Sequence, residues 1–297
     1  MKCFLCYNKK QGSDYMGTLY VVATPIGNLN DITKRAIDTL KEVDLILVED
    51  TRQTIKLLNH FDIKNKMESY HKFNETKKGL EVIEKLKEDK NIALVSDAGT
   101  PCISDPGYIL VNMARKENIE VLVVPGASAV ISALSISGLD TKNFSFYGFV
   151  PTDNKEKEEL FDRIKTSDIE TKVLYESPKR IVKLLEYINK VLPNSYIYLA
   201  NELTKMHESS TYGNISDVYD KVKDDPNYLK GEYVVVLSNK KEEEKENALS
   251  LEALIIDEVV KNNCSIKDAV SIVNEKNKDI SKKDIYNAGL NLKNIIK

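Results

Sequence analysis

The stretch that decides the fold is Ser96-Asp97-Ala98-Gly99-Thr100-Pro101-Cys102-Ile103-Ser104-Asp105-Pro106-Gly107, which lies between a strand candidate at 92–95 and a helix candidate at 108–116. Glycine permits positive φ and close backbone approach, whereas proline fixes φ and removes a hydrogen-bond donor. A strand that runs into such constrained turns before a helix is typical of the ligand-binding crevice of an α/β protein. A turn without a ligand is the alternative interpretation.

Strand and helix patterns alternate from Gly17 onward, which predicts an α/β architecture with a mostly parallel sheet and helices on both faces. Asp31 is the expected N-cap of the first helix. Turn motifs follow the four predicted strands: TPIGN at 24–28, EDTR at 49–52, SDAGTP at 96–101 and PGASA at 125–129. Because the carboxyl ends of parallel strands meet at one edge of a sheet, we expect these motifs to converge there.

The pattern restarts near Asn143 and predicts a second, smaller α/β region, within which 202–230 is undecided between loops and further short strands. A charge run at 240–246 reads as a linker, and three stretches of helical spacing follow it, with Ser265 and Ser281 as plausible N-caps. The predicted organisation is an N-terminal extension at 1–16, two α/β domains at 17–141 and 142–239, a linker at 240–247 and a small helical tail at 248–297.

The 297 residues are 42% hydrophobic and 30% charged, which is typical of a soluble globular protein. No apolar run approaches the roughly 20 residues needed to cross a bilayer, and the apolar stretch near the N-terminus is too short for a signal peptide. We therefore expect a cytoplasmic protein. The net charge of −3 and the pI of about 5.8 provide no general attraction to nucleic acid, so any RNA site must depend on local charge.

Cys3 and Cys6 form a C-x-x-C pair, which is compatible with half of a zinc site or with a redox pair. A zinc site needs about four ligands, and the nearest histidine in the sequence, His60, is far from the pair. The surrounding polar segment has no strand or helix pattern. A leader segment without structure, with Met16 as a possible functional start, is the favoured interpretation.

Familiar cofactor signatures are absent from the sequence: there is no phosphate-loop motif, no G-x-G-x-x-G after the first strand, no G-x-S-x-G and no His-rich or paired-carboxylate metal cluster. A ligand held by turn loops without a phosphate cradle should be organic and not strongly anionic. S-adenosylmethionine meets this description, since it carries an adenine, a ribose, an amino-acid end and a cationic sulfonium but no phosphate.

Several long motifs in register resemble one family: GTLYVVATPIGNL at 17–29, EDTR, the stretch 96–107 and ELTKMHE at 202–208. The family is the RsmI branch of the tetrapyrrole methylases, the bacterial 16S rRNA cytidine 2′-O-methyltransferases. The resemblance covers about 17–238 and continues into the tail. It implies two α/β domains with S-adenosylmethionine in the cleft between them, a homodimer, and methyl transfer to a cytidine ribose in the decoding region of 16S rRNA within the small ribosomal subunit.

Carried over by motif, the resemblance implies a set of cofactor-binding residues in the turn loops and in the second domain: Pro25, Gly27, Asp97, Ala98, Gly99, Thr100, Ser104, Pro125, Gly126, Ser128, Ala129, Tyr175, Glu202 and Leu203. Because the ribose 2′-hydroxyl is a weak nucleophile, a base that accepts its proton would help, and the candidates are Glu49, Asp50 and His71. Arg52 and Arg180 are candidates for positioning phosphate or ribose. Lys205 could do likewise, or could assist deprotonation if burial lowers its pKa.

Structural alternatives stand beside these roles: Glu49, Asp50 and Arg52 could form only a surface ion-pair network, and His71 could be only a packed side chain. The chain departs from the family's pattern at Phe73, Ala127 and Lys179, where histidine, proline and histidine are usual.

A methyltransferase for corrin-like or other tetrapyrrole substrates, and a non-catalytic ribosome-assembly factor that has kept the cleft, are the alternative functions. The acidic pI fits an assembled small subunit better than naked 16S rRNA as the substrate.

Overall fold

The computed structural model of the protein describes residues 16–239, 250–277 and 280–295. It divides into one compact unit that ends at Asn239 and a second that begins at Lys240. The Cys3–Cys6 pair and the linker predicted at 240–247 lie outside the described residues. No helix in the described part of the chain is long and apolar enough to cross a membrane.

The first half of the larger unit is a five-stranded sheet with the strand order β3-β2-β4-β1-β5, in which every pair of neighbours is parallel. The strands are β1 (Leu19–Val22), β2 (Leu45–Val48), β3 (Met67–Ser69), β4 (Ile92–Leu94) and β5 (Val121–Val124). The helices are α1 (Lys34–Glu42), α2 (Thr51–His60), α3 (Glu75–Lys87), α4 (Tyr108–Lys116) and α5 (Ala129–Ile136). The expected parallel α/β sheet is confirmed.

Successive side chains of the central strands enter two different cores, because side chains alternate between the faces of a sheet. On β2, Leu45 and Leu47 pack with residues of α3 and α4, whereas Ile46 and Val48 pack with residues of α1 and α2. Both faces of the sheet are therefore covered, as a parallel sheet requires.

The first helix begins later than the sequence pattern predicts, and the expected Asp31 cap is wrong. Asp31 lies inside a short 3₁₀ turn that Asn28 caps, and Ile32 is extended. Thr33 caps α1 instead, with its side chain accepting the Ala36 amide at 3.1 Å. Asp50 likewise caps α2, so Thr51 and Arg52 of the EDTR motif already belong to a helix.

The second half of the larger unit is a mixed five-stranded sheet with the order β6-β7-β10-β8-β9. Only β6 and β7 are parallel neighbours, and β10 runs antiparallel between β7 and β8. Its strands are β6 (Phe144–Phe149), β7 (Thr171–Glu176), β8 (Tyr196–Asn201), β9 (Ser209–Asn214) and β10 (Tyr233–Ser238), and its helices are α6 (Asn154–Thr166), α7 (Ile181–Val191) and α8 (Ile215–Val222). The undecided segment 202–230 thus holds a strand and a helix.

Helix α5 joins the two sheets. It follows β5 in the chain, but its buried residues Val130, Ala133 and Leu134 pack on the second sheet, against Val173 and Val234 among others. The opposite face of that sheet is covered by α6, α7 and α8. Because α5 starts at the PGASA motif, the loop after β5 is held at the boundary between the sheets.

The second unit consists, in its described residues, of α9 (Leu251–Asn262), α10 (Ile266–Lys276) and α11 (Lys282–Ile295), which share a small core around Ile255, Val273 and Ile285. Ser265 caps α10, as predicted, by accepting the Asp268 amide at 3.2 Å.

Glu75 at the start of α3 ties this helix to the start of α4. Its buried carboxylate accepts the Gly107 amide at 2.8 Å and lies 3.4 Å from the Tyr70 hydroxyl. Gly107 has φ +134°, and an added Cβ would lie 2.6 Å from Leu94, so no other residue fits here. The carboxylate therefore fixes the point at which the chain enters α4.

Glu75→Ala should lower the free energy of unfolding by about 2 kcal/mol, because a buried amide loses a charged acceptor. Glu81→Ala on the exposed side of the same helix is the control and should have a much smaller effect. Urea denaturation measures both values. Equal losses in the two variants would show that the Glu75 hydrogen bond contributes nothing particular.

Candidate functional site

The loop from 95 to 107, between β4 and α4, is hydrogen-bonded to each of the neighbouring turn motifs. Thr24 and Gly99 exchange two backbone hydrogen bonds of 2.8 and 3.1 Å. The Thr100 hydroxyl donates to the carbonyl of Ala127 at 3.2 Å, and the Asp50 amide donates to Asp97 Oδ1 at 3.1 Å. The four motifs therefore converge at one edge of the sheet, as predicted.

A cavity of about 540 Å³ opens between this loop and the second sheet. Residues of both halves of the larger unit line it: Ile26, Asp97, Ala98, Gly99, Thr100, Ile103, Ser104, Asp105, Ser128, Ala129, Phe149, Tyr175, Glu176, Ser177, Pro178, Leu203, Lys205, Gly231, Glu232, Tyr233 and Val234. Its size is that of a site for a small organic molecule.

Most of the residues predicted to bind a cofactor line this cavity: Asp97, Ala98, Gly99, Thr100, Ser104, Ser128, Ala129, Tyr175 and Leu203. Pro25, Gly27, Pro125, Gly126 and Glu202 belong to the same loops but do not line it. Gly27 contributes indirectly, since an added Cβ would lie 2.4 Å from Cγ of Lys205. Its lack of a side chain lets the lysine pass close to the TPIGN loop.

Of the five predicted catalytic residues, only Lys205 lines the cavity. Its ammonium group lies 2.8 Å from Glu202 and 3.0 Å from Glu232. Burial lowers the pKa of Lys205, but the hydrogen bonds to the two carboxylates outweigh burial and leave the pKa raised. A lowered pKa, the condition under which Lys205 could accept a proton, is therefore not met. The side chain is a cation held between two carboxylates.

Asp50 and Arg52 form an ion pair of 2.8 Å beside the cavity, and the arginine side chain is 87% exposed. Hydrogen bonds from Arg52 lower the pKa of Asp50. The pKa of Glu49, the first residue of the same motif, shifts in the opposite direction. Burial and the charges of Asp105 and Asp97 raise it. Glu49 is thus the stronger proton acceptor of the two.

His71 lies two residues beyond the end of β3 and does not line the cavity. Its amide donates to Asn74 Oδ1 at 2.9 Å, and its ring packs edge-on against Phe73. Nδ1 is buried and has no hydrogen-bond partner among the described residues.

Carboxylates outnumber cations around the cavity. Burial raises the pKa of Asp105 to about 6; the nearby Ser96 hydroxyl opposes this and the charge of Asp97 adds to it. The pKa of Asp97 is itself raised by burial. Lys205 is the one lysine or arginine in the lining, and both of its carboxylate partners are already engaged with it. Such a lining favours a cationic ligand with apolar parts over a phosphate.

A family model for tetrapyrrole (corrin/porphyrin) methylases matches residues 18–219. The chain belongs to this family. Within it, the methylase is 42% identical over 264 residues, 89% of the chain and 93% of the relative, to a protein of Haemophilus influenzae named ribosomal RNA small subunit methyltransferase I. A protein of the same name from Hydrogenobaculum is 48% identical, covering 80% of this chain and 99% of the relative. The resemblance on which the sequence analysis relied is confirmed.

The methylase also has the fold of a solved uroporphyrin-III C-methyltransferase from Thermus thermophilus, complexed with S-adenyl homocysteine, at a TM-score of 0.51 and 16% identity. That alignment covers 75% of this chain and 97% of the solved one. The tetrapyrrole-methylase type of fold, expected from the motifs, is confirmed.

Strained backbone surrounds the cavity of the methylase on both sides. Cys102 and Ser104 in the β4–α4 loop have φ of 70° and 65°, and Glu202 and Thr204 after β8 have φ of 53° and 66°. Left-handed conformations of non-glycine residues cluster at functional sites and persist only where surrounding contacts impose them. The ELTK segment and the β4–α4 loop therefore both contribute strained backbone to one site.

The sequence analysis did not assign several residues that line the cavity from the second sheet: Phe149, Glu176, Ser177, Pro178, Gly231, Glu232, Tyr233 and Val234. The β6 and β7 ends are followed by turn residues, a signal that could have identified them. The strand pattern of β10 is visible in the sequence, but no local signal places its start at the cavity, because it reaches the cavity only through antiparallel pairing between β7 and β8.

Asp105→Asn should raise the melting temperature at pH 7 relative to the native protein, and the gain should shrink toward pH 4. Between the ordinary pKa of 3.8 and about 6 the folded protein keeps a proton at Asp105 that the unfolded chain has released. Ionisation of Asp105 therefore lowers the free energy of unfolding as pH rises through this window.

Scanning calorimetry at pH 4, 5.5 and 7 measures this difference. Asp162→Asn on the exposed face of α6 is the matched control, since it also removes one carboxylate. A gain for Asp105→Asn that stays constant from pH 4 to pH 7 would contradict the raised pKa.

Proposed function

We propose that this protein transfers a methyl group from S-adenosylmethionine to the 2′-oxygen of a cytidine ribose in 16S rRNA of the small ribosomal subunit. The acidic, partly apolar cavity at the edge of the parallel sheet carries the proposal, together with the identity to relatives named ribosomal RNA small subunit methyltransferase I. A ribosomal substrate also supports a cytoplasmic location.

The lining fits S-adenosylmethionine by its chemistry. Apolar side chains such as Ile26, Ile103 and Leu203 suit an adenine, and the carboxylates of Asp97 and Asp105 suit positive charge. When bound, the cofactor supplies an electrophilic methyl group. Backbone amides and carbonyls of the β4–α4 loop and the PGASA loop would hold it, since these loops are fixed to each other by the Thr100 hydrogen bond.

Proton acceptance from the 2′-hydroxyl is assigned to Glu49, which directly follows β2 and precedes Asp50, whose amide donates to Asp97 of the cavity lining. The raised pKa makes this half-buried carboxylate a better base than Asp50, which Arg52 holds as an anion. The exposed Arg52 guanidinium is available to a phosphate next to the target ribose while Asp50 orients it. His71 stays a candidate for contact with the substrate.

The decisive measurement is transfer of radiolabelled methyl from S-adenosylmethionine to small subunits that lack the modification, followed by nucleoside analysis. Label in 2′-O-methylcytidine is the expected result. Binding of the cofactor without transfer would overturn the proposal and favour a tetrapyrrole substrate or a non-catalytic assembly factor. Low activity on naked 16S rRNA is expected, because the net charge of −3 provides no general attraction to RNA.

In the same assay, Glu49→Gln should reduce kcat by about a hundredfold to ten-thousandfold, the range lost with a general base. Asp50→Asn keeps the helix cap and serves as the matched control, with a smaller loss that appears mainly in KM for the subunit. Cofactor affinity, measured by calorimetry, should not change in either variant. A larger kcat loss in Asp50→Asn would transfer the role of base to Asp50.

A second copy of the chain is the partner we propose for the exposed apolar side chains on the edge strands β5 and β6 and on α5. They are Leu122, Val123, Ile131, Ile136 and Phe144. Strands at the ends of sheets leave backbone groups unpaired, and proteins commonly cover such edges by association.

Val123→Lys should convert a dimer into a monomer at micromolar protein concentration, as followed by sedimentation equilibrium. Val123 is 60% exposed on β5, so the change does not disturb the core. Leu80→Lys, at an equally exposed position of α3, is the control and should stay dimeric. A native protein that is monomeric at all concentrations would refute the proposed dimer.

A further inference from the structure

The two most exposed large apolar side chains of the described residues lie on segments of the functional site. Phe73 and Met206 are each 93% exposed. Phe73 belongs to the loop between β3 and α3, and Met206 follows Lys205 of the cavity lining. Single exposed apolar residues are common on protein surfaces, but nearly complete exposure of two large ones on loops that connect to the site points to a partner.

The loop that carries Phe73 is held firmly. Asn74 accepts the His71 amide at 2.9 Å and donates to the carbonyl of Ser69 at 3.1 Å. Glu75 then fastens the loop to Gly107 at the end of the β4–α4 loop. The loop that presents the ring is therefore hydrogen-bonded to the β4–α4 loop, other residues of which line the cavity.

The segment that carries Met206 is equally constrained. The Thr204 amide donates to Glu208 Oε2 at 2.7 Å, and backbone hydrogen bonds join Lys205 to Glu202 and Glu208 to Lys205. The two apolar side chains thus come from the two halves of the larger unit: Met206 adjoins Lys205 of the cavity lining, and the loop of Phe73 is bonded through Glu75 to the β4–α4 loop.

The charges near Phe73 favour nucleic acid over an apolar protein surface. Lys72 and Lys77 are exposed and form no ion pair with any residue of the described ranges. They place positive charge close to Phe73 in the sequence, where it could meet phosphates. An exposed aromatic ring with exposed lysines nearby in the chain favours stacking on unpaired bases.

We propose that Phe73 and Met206 contact unpaired nucleobases of the rRNA next to the methylated nucleotide. A ribose can reach a cavity at the sheet edge only if its strand leaves the helical stack, which exposes the faces of the neighbouring bases. The apolar contacts replace the lost stacking and hold the strand in its splayed form. This inference rests on the proposed function and adds the form of RNA that the site recognises.

The test measures how tightly each variant binds small subunits that lack the modification, by a filter-retention assay. This assay requires no methyl transfer. Phe73→Ala should weaken binding about fivefold to 150-fold, the range for loss of one stacked base. Phe73→His keeps a flat ring and should restore most of the affinity, and the Phe73→Ala Met206→Ala double variant should bind least. Tyr212→Ala removes another exposed ring, 67% exposed on β9, and should bind as the native protein does.

Cofactor affinity, circular dichroism and sedimentation accompany each variant, since unchanged values show that neither folding nor assembly is affected. Binding by Phe73→Ala and the double variant that equals Tyr212→Ala would overturn the inference, as would native protein that fails to bind subunits. Loss of binding that parallels loss of dimers would assign these side chains to a second copy instead. Native protein that binds subunits without methylating them refutes only the proposed function, because the contact is judged by binding.

Discussion

The pair of backbone hydrogen bonds between Thr24 and Gly99 is the constraint on which the site depends. It joins the loops after β1 and β4, which are neighbours in the sheet, and continues their pairing beyond the last parallel residues as an antiparallel bridge. With these loops joined, Thr100 reaches the PGASA loop and Asp97 accepts the amide of Asp50. One pair of hydrogen bonds thus helps to position four loop segments that are distant in sequence.

The loop that these hydrogen bonds fix carries the acidic residues of the site, although the proposed substrate is a polyanion. Asp97 and Asp105 stand on the loop that must approach a cationic cofactor, and burial raises the pKa of both. Exposed cations such as Arg52 and Lys72 lie outside the cavity lining. Under the proposed function, the interior would favour a sulfonium and these outer cations would meet phosphate.

Helix α5 connects the cavity with the second sheet. Its first residue, Ala129, lines the cavity, and its buried face packs on the second sheet. The loop after β5 is therefore held by the packing of both sheets. Since the cavity takes residues from each, its shape depends on this apolar contact as much as on hydrogen bonds.

Much of the fold could be read from the sequence, because period-two and helical patterns with Gly and Pro turns are local signals. The helix Tyr108–Lys116 and the strand Ile92–Leu94 lie where the patterns place them. The prediction that Asp31 caps the first helix is wrong because two other residues with capping side chains, Asn28 and Thr33, flank it. The domain boundaries and the roles of the site residues stay predictions.

By itself the sequence determined the alternation of strands and helices, the constrained loop at 96–107 and the convergence of its neighbours at one sheet edge, since all three follow from local propensity and the geometry of parallel strands. Only the tertiary structure decided that β10 inserts between β7 and β8 and brings Tyr233 and Val234 to the cavity. It also decided that Lys205 is a paired cation and that burial raises the pKa of Glu49. Strand order and pKa depend on contacts between residues far apart in the chain, which no local pattern encodes.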